Sequence, residues 1–188
     1  LSEELTLAVA ADFVLGREKG AIVANLSTTR LLEDVASKHG VESFRSPVGE
    51  ANVTALMKES GAVIGGEGNG GVIYPPIHYG RDAMAGIALI LQHMADTGSS
   101  LSDIAGRLPS YSIRKEKFEF CGDWNEYMER LKEGFRGTYN DADGIRIDME
   151  DGWVHVRRSN TEPVVRIIAE AGSEERAGEL VKEAAGLM

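Results

Sequence analysis

The sequence predicts an α/β chain: a mixed, mainly parallel sheet with flanking helices, followed by a smaller α+β domain of order β-α-β-β-β-α. Three observations carry this. Up to about residue 108, short apolar runs of strand length alternate with helix-length segments, the pattern of a parallel sheet covered by helices. Beyond Pro109 the pattern changes to period-two strands, one hairpin signal and two capped helices. Pro109-Ser110 is the natural break between the two patterns, giving expected domains 1–108 and 109–188.

Taken in order, residues 3–15 are almost wholly apolar from Leu5 on and predict a buried helix. Gly20 precedes Ala21-Ile22-Val23-Ala24, a short run that suits a buried strand. Ser27 is the expected cap of a helix over 28–38 that stops at Gly40. A strand over 42–45, a helix over 50–59 and a strand over 62–64 follow, then a glycine-rich stretch running into Tyr74-Pro75-Pro76. Asp82 is placed to cap an apolar helix reaching Met94, and Ser100-Leu101-Ser102-Asp103 reads as a capping box for a short helix ending near Leu108. In the second domain, residues 111–120 alternate as a strand, and Asp123-Trp124-Asn125-Glu126 opens a helix to Gly134. Segments 144–149 and 153–157 form a hairpin around Asp151-Gly152. Residues 164–171 are a further strand, and Ser173 caps a terminal helix whose first turn carries Glu174 and Glu175, as the helix dipole favours.

The charge balance narrows the partners. The 188 residues hold 20 Lys and Arg against 30 Asp and Glu, a net charge of −10. The excess is spread over both domains, with 8 basic against 13 acidic residues before Pro109 and 12 against 17 from there on. Nucleic acid and anionic membrane are excluded as partners of the whole surface, because neither half offers the positive field they require. Any anion site must be local. The longest uncharged apolar run, 83–91, is far short of the ~20 residues a membrane helix needs. Cys121 has no second cysteine to pair with, which suits a reducing cytoplasm and removes cysteine-based zinc sites.

Of the 22 glycines, six lie between Gly61 and Gly71. Gly66-Glu67-Gly68-Asn69-Gly70-Gly71 formally matches the dinucleotide-binding pattern, but Pro75 and Pro76 bar the helix whose N-terminus would hold a pyrophosphate. What remains is a loop at the C-terminal end of a strand, where open α/β sheets bind ligands. Glu67 can accept hydrogen bonds from hydroxyls and Asn69 can both donate and accept, which suits a polyol; a loop whose glycines merely turn the chain fits the spacing equally. In Arg157-Arg158-Ser159-Asn160-Thr161-Glu162-Pro163, followed by Arg166, guanidinium forks and small donors cluster around a turn, the composition of a phosphate site. A solvated turn with ordinary salt bridges is the alternative. His39, His93 and His155 are expected to be structural or solvated and not catalytic, whereas His78 and Arg81 follow the glycine loop closely enough to face the same cleft. No catalytic triad or metal-ligand spacing is present in the sequence.

Together, the glycine loop and the arginine loop resemble the motifs of the phosphohexomutases, the phosphoglucomutase, phosphomannomutase and phosphoglucosamine mutase enzymes. The first resembles that family's sugar-binding loop in its third domain, the second its phosphate-binding loop in the fourth, with Pro47-Val48-Gly49-Glu50 also in agreement. The resemblance covers essentially the whole chain. It implies the C-terminal half of a four-domain cytoplasmic enzyme that moves a phosphoryl group between O1 and O6 of a hexose. It also implies a phosphoserine loop and an Asp-rich magnesium loop in the two preceding domains; neither motif occurs here, so this chain is expected to be inactive by itself, with no cofactor of its own and Mg2+ belonging to the parent enzyme. The implied partners are a phosphorylated hexose and those first two domains. Carried over, Glu67 and Asn69 bind sugar hydroxyls, while Arg157, Ser159, Asn160 and Thr161 bind the non-reacting phosphate; no catalytic residue is expected in the chain. Many relatives carry Ser and a terminal His where this sequence has Asn69 and Gly71. That version of the loop looks closest to archaeal-type phosphoglucosamine mutase-like sequences, with phosphoglucomutase or phosphomannomutase specificity, or a non-catalytic phosphosugar-binding module, as the alternatives.

Overall fold

The computed structural model describes residues 2–159 and 162–188 and divides the chain into two compact units, 1–110 and 111–188. The first unit begins with α1 (Glu4–Leu15), whose Leu7, Val9, Phe13, Val14 and Leu15 are all buried along with three alanines. A helix apolar on nearly every side must be enclosed, and α1 packs against the elements that follow it. These are β1 (Ile22–Asn25), α2 (Leu31–His39), β2 (Ser43–Ser46), α3 (Glu50–Ser60), β3 (Ile64–Glu67), β4 (Gly71–Ile73), α4 (Ala83–Thr97) and α5 (Leu101–Ala105). Among the described residues the strands form one sheet in the order β2-β1-β3-β4, with β1 parallel to both β2 and β3, and β4 antiparallel to β3. Helices α1, α2 and α4 pack together, α1 and α4 also against the β3–β4 side of the sheet. Helix α3 lies along β1, β2 and β3, closing a separate core of Val23, Val53, Met57, Ala62 and Ile73.

The mixed, mainly parallel sheet is as the sequence predicts, but its details shift where glycine replaces side-chain pattern. The third strand runs over Ile64–Glu67 and not over 62–64. Gly65 and Gly66 carry no apolar side chain to be read, yet they are buried because the chain passes there at backbone distance: a Cβ on Gly65 would lie 2.6 Å from the Val23 carbonyl oxygen, and one on Gly66 would collide with that of Gly71. The glycine motif is therefore a hairpin, β3 to β4, and not a loop after a strand; β4 is an element the sequence pattern did not announce. Ser27 does not cap α2. That helix starts at Leu31, where the Thr29 hydroxyl accepts from the Leu31 N–H, and Ser27 instead donates its own N–H to the Asn25 side chain. The expected stop at Gly40 holds, with that glycine left-handed at φ 66°. Asp82 caps α4 through the Met84 and Ala85 N–H groups, and Ser100 and Asp103 form the expected reciprocal box.

The second unit runs β5 (Ser112–Glu119), α6 (Trp124–Gly134), β6 (Thr138–Asn140), β7 (Ile145–Asp148), β8 (Gly152–Arg158), β9 (Val164–Ala171) and α7 (Glu174–Gly186). Among the described residues its sheet is wholly antiparallel, ordered β5-β9-β8-β7-β6. The expected β-α-β-β-β-α order thus gains a strand, β6. This segment is three exposed residues with no apolar alternation, and it is held by backbone pairing to the edge of β7 and not by burial. The hairpin turn sits one step earlier than expected, over 149–151, closed by the Met149 N–H on the Gly152 carbonyl at 2.8 Å, and Gly152 already belongs to β8.

Val154 and Val156 of β8 join Ile145, Ile147, Val165 and Ile167 in a core closed by Tyr127 and Leu131 of α6 and Leu180 and Val181 of α7. Within it, the fully buried Tyr127 hydroxyl donates to the Ala184 carbonyl at 2.8 Å, and burial pushes its pKa well above the ordinary tyrosine value. Tyr127→Phe leaves that carbonyl with the Leu187 N–H alone, at 3.2 Å, and is expected to cost about 0.5 to 1.5 kcal/mol. Both tryptophans, Trp124 and Trp153, lie in this unit, so urea unfolding followed by tryptophan fluorescence reads the loss directly. An unchanged midpoint would show that the hydroxyl contributes nothing net. Among the described residues no helix of either unit is long and apolar enough to cross a membrane.

Candidate functional site

In the first unit, β1 is followed through α2 by β2 on one side and, after α3, by β3 on the other. The chain therefore switches direction between β1 and β3, and the crevice beyond the C-terminal ends of those strands is where open α/β sheets take ligands. Two segments meet there, residues 26–30 after β1 and the turn of the β3–β4 hairpin. They are tied together by polar side chains: the Gly68 N–H donates to the Thr28 hydroxyl at 2.9 Å, and that hydroxyl donates to Asn25 Oδ1 at 2.9 Å. The Asn25 amide in turn donates to Glu67 Oε1 at 2.8 Å.

Glu67 ends β3 with its side chain only 8% exposed. Its Oε1 also accepts from the Gly49 N–H at 3.2 Å, and its Oε2 faces Arg81 Nη1 at 3.2 Å. Arg81 is shared, since its Nε donates to Glu50 Oε2 at 2.7 Å and its backbone N–H to Glu50 Oε1 at 3.2 Å. Those hydrogen bonds from Arg81 hold the Glu50 carboxyl below its usual range, and Glu50 in return raises Arg81 further above its own. Asn69 stands at the hairpin tip, exposed, with its Oδ1 taken by the Gly71 N–H at 3.2 Å. His78 is turned toward Asp82 at 3.1 Å and is part of the α4 cap. Of the residues expected at this cleft, the fold joins Glu67 and Arg81, leaves Asn69 at the rim and gives His78 a different partner. Asn25 and Thr28, which hold this arrangement, were not singled out from the sequence, since their bonds to it span 42 and 40 residues, and Glu50 stood there only as the end of the Pro47-Val48-Gly49-Glu50 stretch, with no role given to it.

The second unit's arginine loop lies between β8 and β9. Arg157 stands directly opposite Arg166 of β9, and Arg166 opposite Lys117 of β5, so one face of the sheet carries three cations in a cross-strand row. Like charges placed opposite one another repel. Arg157 has Asp143 Oδ2 at 3.4 Å from its Nε, with its side chain 16% exposed. The Nε atoms of Arg157 and Arg166 are buried with no hydrogen-bond partner among the described residues. Ser159 closes the loop's base through its N–H on the Val164 carbonyl at 2.9 Å. Asn160 and Thr161, expected to complete the phosphate contacts, lie outside the described residues. Arg158 is on the opposite face, exposed, with its guanidinium 5.8 Å from the ring centroid of Trp124 on α6. Two arginines on different strands and a serine at the loop base can thus converge on an anion, Arg166 supplying the second fork that sequence spacing alone did not assign.

Among the described residues no group of three or more His, Cys, Asp or Glu side chains is placed to hold a metal ion.

Residues 3–111 match the family model described as phosphoglucomutase/phosphomannomutase, alpha/beta/alpha domain III, and residues 114–187 match the model for the phosphoglucomutase/phosphomannomutase C-terminal domain. The chain is 38% identical over 184 residues to a phosphoglucomutase/phosphomannomutase of Thermococcus kodakarensis, covering 94% of this chain and 40% of that protein. It is 37% identical over 169 residues to a probable phosphoglucosamine mutase of Methanopyrus kandleri, covering 87% of this chain and 37% of that protein. A phosphoglucomutase/phosphomannomutase family protein from Burkholderia thailandensis shares the fold, with a TM-score of 0.79 at 24% identity over 98% of this chain and 40% of its own. The chain thus spans about two-fifths of the length of the relatives it matches.

Proposed function

Because the chain belongs to the phosphoglucomutase/phosphomannomutase family, we propose that its 188 residues are the substrate-binding part of a mutase interconverting hexose 6-phosphate and hexose 1-phosphate. The observation that carries this reading is the facing pair Arg157 and Arg166, whose repulsion is relieved by a bound phosphate that can also take the buried Nε atoms, neither of which has a hydrogen-bond partner among the described residues. The second unit then holds the phosphate that does not react, through these two arginines and Ser159, joined in the sequence by Asn160 and Thr161. The first unit supplies the sugar-binding loop, where Glu67 accepts from hydroxyls and Asn69 reads the rim. Chemistry of this kind rests on positioning and charge, so a part that only binds still sets the rate of the whole. Turnover itself is assigned to residues outside this chain, which carries neither the phosphoserine nor the acidic metal-loop motif. Glucosamine 6-phosphate is the substrate favoured, on the strength of relatives named as probable phosphoglucosamine mutases.

The test is an NMR titration of the chain with glucosamine 6-phosphate, glucose 6-phosphate and inorganic phosphate. Glu67→Gln keeps the shape and the bonds from Asn25 and Gly49 but removes the charged acceptor, a loss of about 1.5 to 3 kcal/mol for a hydrogen bond to an ion. Hexose phosphate affinity is expected to fall about tenfold or more while that for inorganic phosphate stays unchanged. Equal weakening of both ligands would make Glu67 structural, and no response to either sugar phosphate would sink the reading.

A further inference from the structure

Arg81, which follows the glycine hairpin closely in sequence, is held at that hairpin by more than its charge. Its backbone is fixed from two sides: it forms an isolated bridge with Ile73 of β4, and the next residue, Asp82, donates its N–H to the Val72 carbonyl at 2.8 Å while its side chain caps α4. From that anchor the side chain crosses the hairpin over Gly71. A Cβ on Gly71 would lie 2.5 Å from Arg81 Cδ and 3.1 Å from its Cγ, so the absence of a side chain at 71 is what lets the arginine stem pass. The guanidinium then bridges two carboxylates, Glu50 on α3 and Glu67 at the end of β3.

The two oxygens of Glu67 have different surroundings. Oε1 is held from within by Asn25 and Gly49, whereas Oε2 faces Arg81, whose side chain is 41% exposed. Oε2 is therefore the edge from which a ligand would approach, and Arg81 is its counter-charge. A nearly buried carboxylate stripped of its cation either turns or is neutralised, because the cost of an unpaired charge exceeds that of reorienting the side chain. Resting on the sugar-binding reading of the hairpin, we infer that Arg81 is a positioning residue: it fixes the Glu67 carboxylate for sugar hydroxyls, with Glu50 holding the guanidinium in place and Gly71 keeping its path open. The arrangement links α3 and the α4 cap to the recognition edge, so the hairpin reads the sugar with a carboxylate already oriented and no ordering cost at binding.

The experiment measures glucosamine 6-phosphate and inorganic phosphate affinity by NMR titration for Arg81→Gln, Arg81→Lys, Gly71→Ala and Glu67→Gln, and for Arg81→Gln in the Glu67→Gln background. Arg81→Gln is expected to weaken sugar phosphate binding about tenfold with inorganic phosphate unchanged, and Arg81→Lys to recover most of that loss. Gly71→Ala, which displaces the arginine stem without touching its charge, should reproduce the loss. In the Glu67→Gln background, Arg81→Gln should add less than about twofold, as coupled residues do. An equal effect of Arg81→Gln in both backgrounds, or none in the native one, overturns the inference. Failure of Glu67→Gln itself to change sugar discrimination overturns the underlying reading instead. If Arg81→Gln proves too unstable to titrate, Arg81→Lys against Gly71→Ala makes the same comparison: unequal losses support the positioning role and two unchanged affinities refute it.

Discussion

Replacing Arg157 with alanine is expected to raise the dissociation constant for phosphate at least tenfold, while Arg158→Ala changes it less than about twofold. The two residues are neighbours in sequence but on opposite faces of β8. Val154 and Val156, which share the face of Arg158, enter the core under α6 and α7, and the Arg158 guanidinium rests beside the Trp124 ring. Arg157 is on the other face with Trp153 and His155, opposite Arg166, and its guanidinium is mostly buried. A partly desolvated fork that gains a phosphate loses about 1.5 to 3 kcal/mol when truncated, and an exposed arginine far from the anion loses almost nothing. Arg166→Ala should fall in the class of Arg157→Ala. Phosphate is small, so the native affinity is expected to be about millimolar, or roughly 4 kcal/mol, and to weaken with added salt. Amide shifts in a phosphate titration, with Ser159 as the reporter, rank the three variants. A larger loss for Arg158→Ala would place the anion on the helical face of the sheet.

How much of this was legible in the sequence depends on the range of the interaction that decides it. The alternation in β8 is a local property, and reading it separates Arg157 from Arg158 without coordinates. The caps at Asp82, Ser100, Asp123 and Ser173 are equally local and appear where the residue types place them. By contrast, the β3 strand was read two residues early because Gly65 and Gly66 are buried by close backbone approach, which leaves no mark on hydrophobic periodicity. Ser27 has the right chemistry for a cap, but the helix starts at Leu31, three residues beyond its expected first residue, and it is the Thr29 hydroxyl that accepts from the Leu31 N–H. The clamp on Glu67 was out of reach for a further reason. Its parts come from β1, α3 and the segment before α4, and only the parallel pairing of β1 with β3 brings Asn25 beside Glu67. The row Arg157, Arg166, Lys117 likewise needs the register of β5, β9 and β8, although the arginine at 166 was visible after the loop.

Lowering the pH from 7 to about 4.5 is expected to destabilise the second unit by most of 3 kcal/mol through one residue, His155. Its imidazole is fully buried on β8, with its Nε2 donating to the Asp143 carbonyl at 2.7 Å. Burial pushes the pKa down to about 4 from 6.5; the bond to Asp143 works against that, while Arg146 across the strand and Arg157 two residues along add to it. Ile168, opposite on β9, brings no charge. Between those two pKa values the unfolded chain binds a proton that the folded unit refuses, so this contribution is complete above about pH 6.5 and disappears as the pH falls toward 4. His155→Gln has no charge to gain and keeps an amide donor within reach of the Asp143 carbonyl. It should cost some stability at pH 7, yet it should flatten the decline between pH 7 and 4.5 by about 2 to 3 kcal/mol relative to the native chain. Urea unfolding at a series of pH values, followed by the fluorescence of Trp124 and Trp153, gives both slopes. Parallel slopes for the two proteins would mean that the imidazole takes up its proton without leaving the sheet. A cation would then sit between Arg146 and Arg157, and phosphate affinity should rise in acid instead of the unit opening.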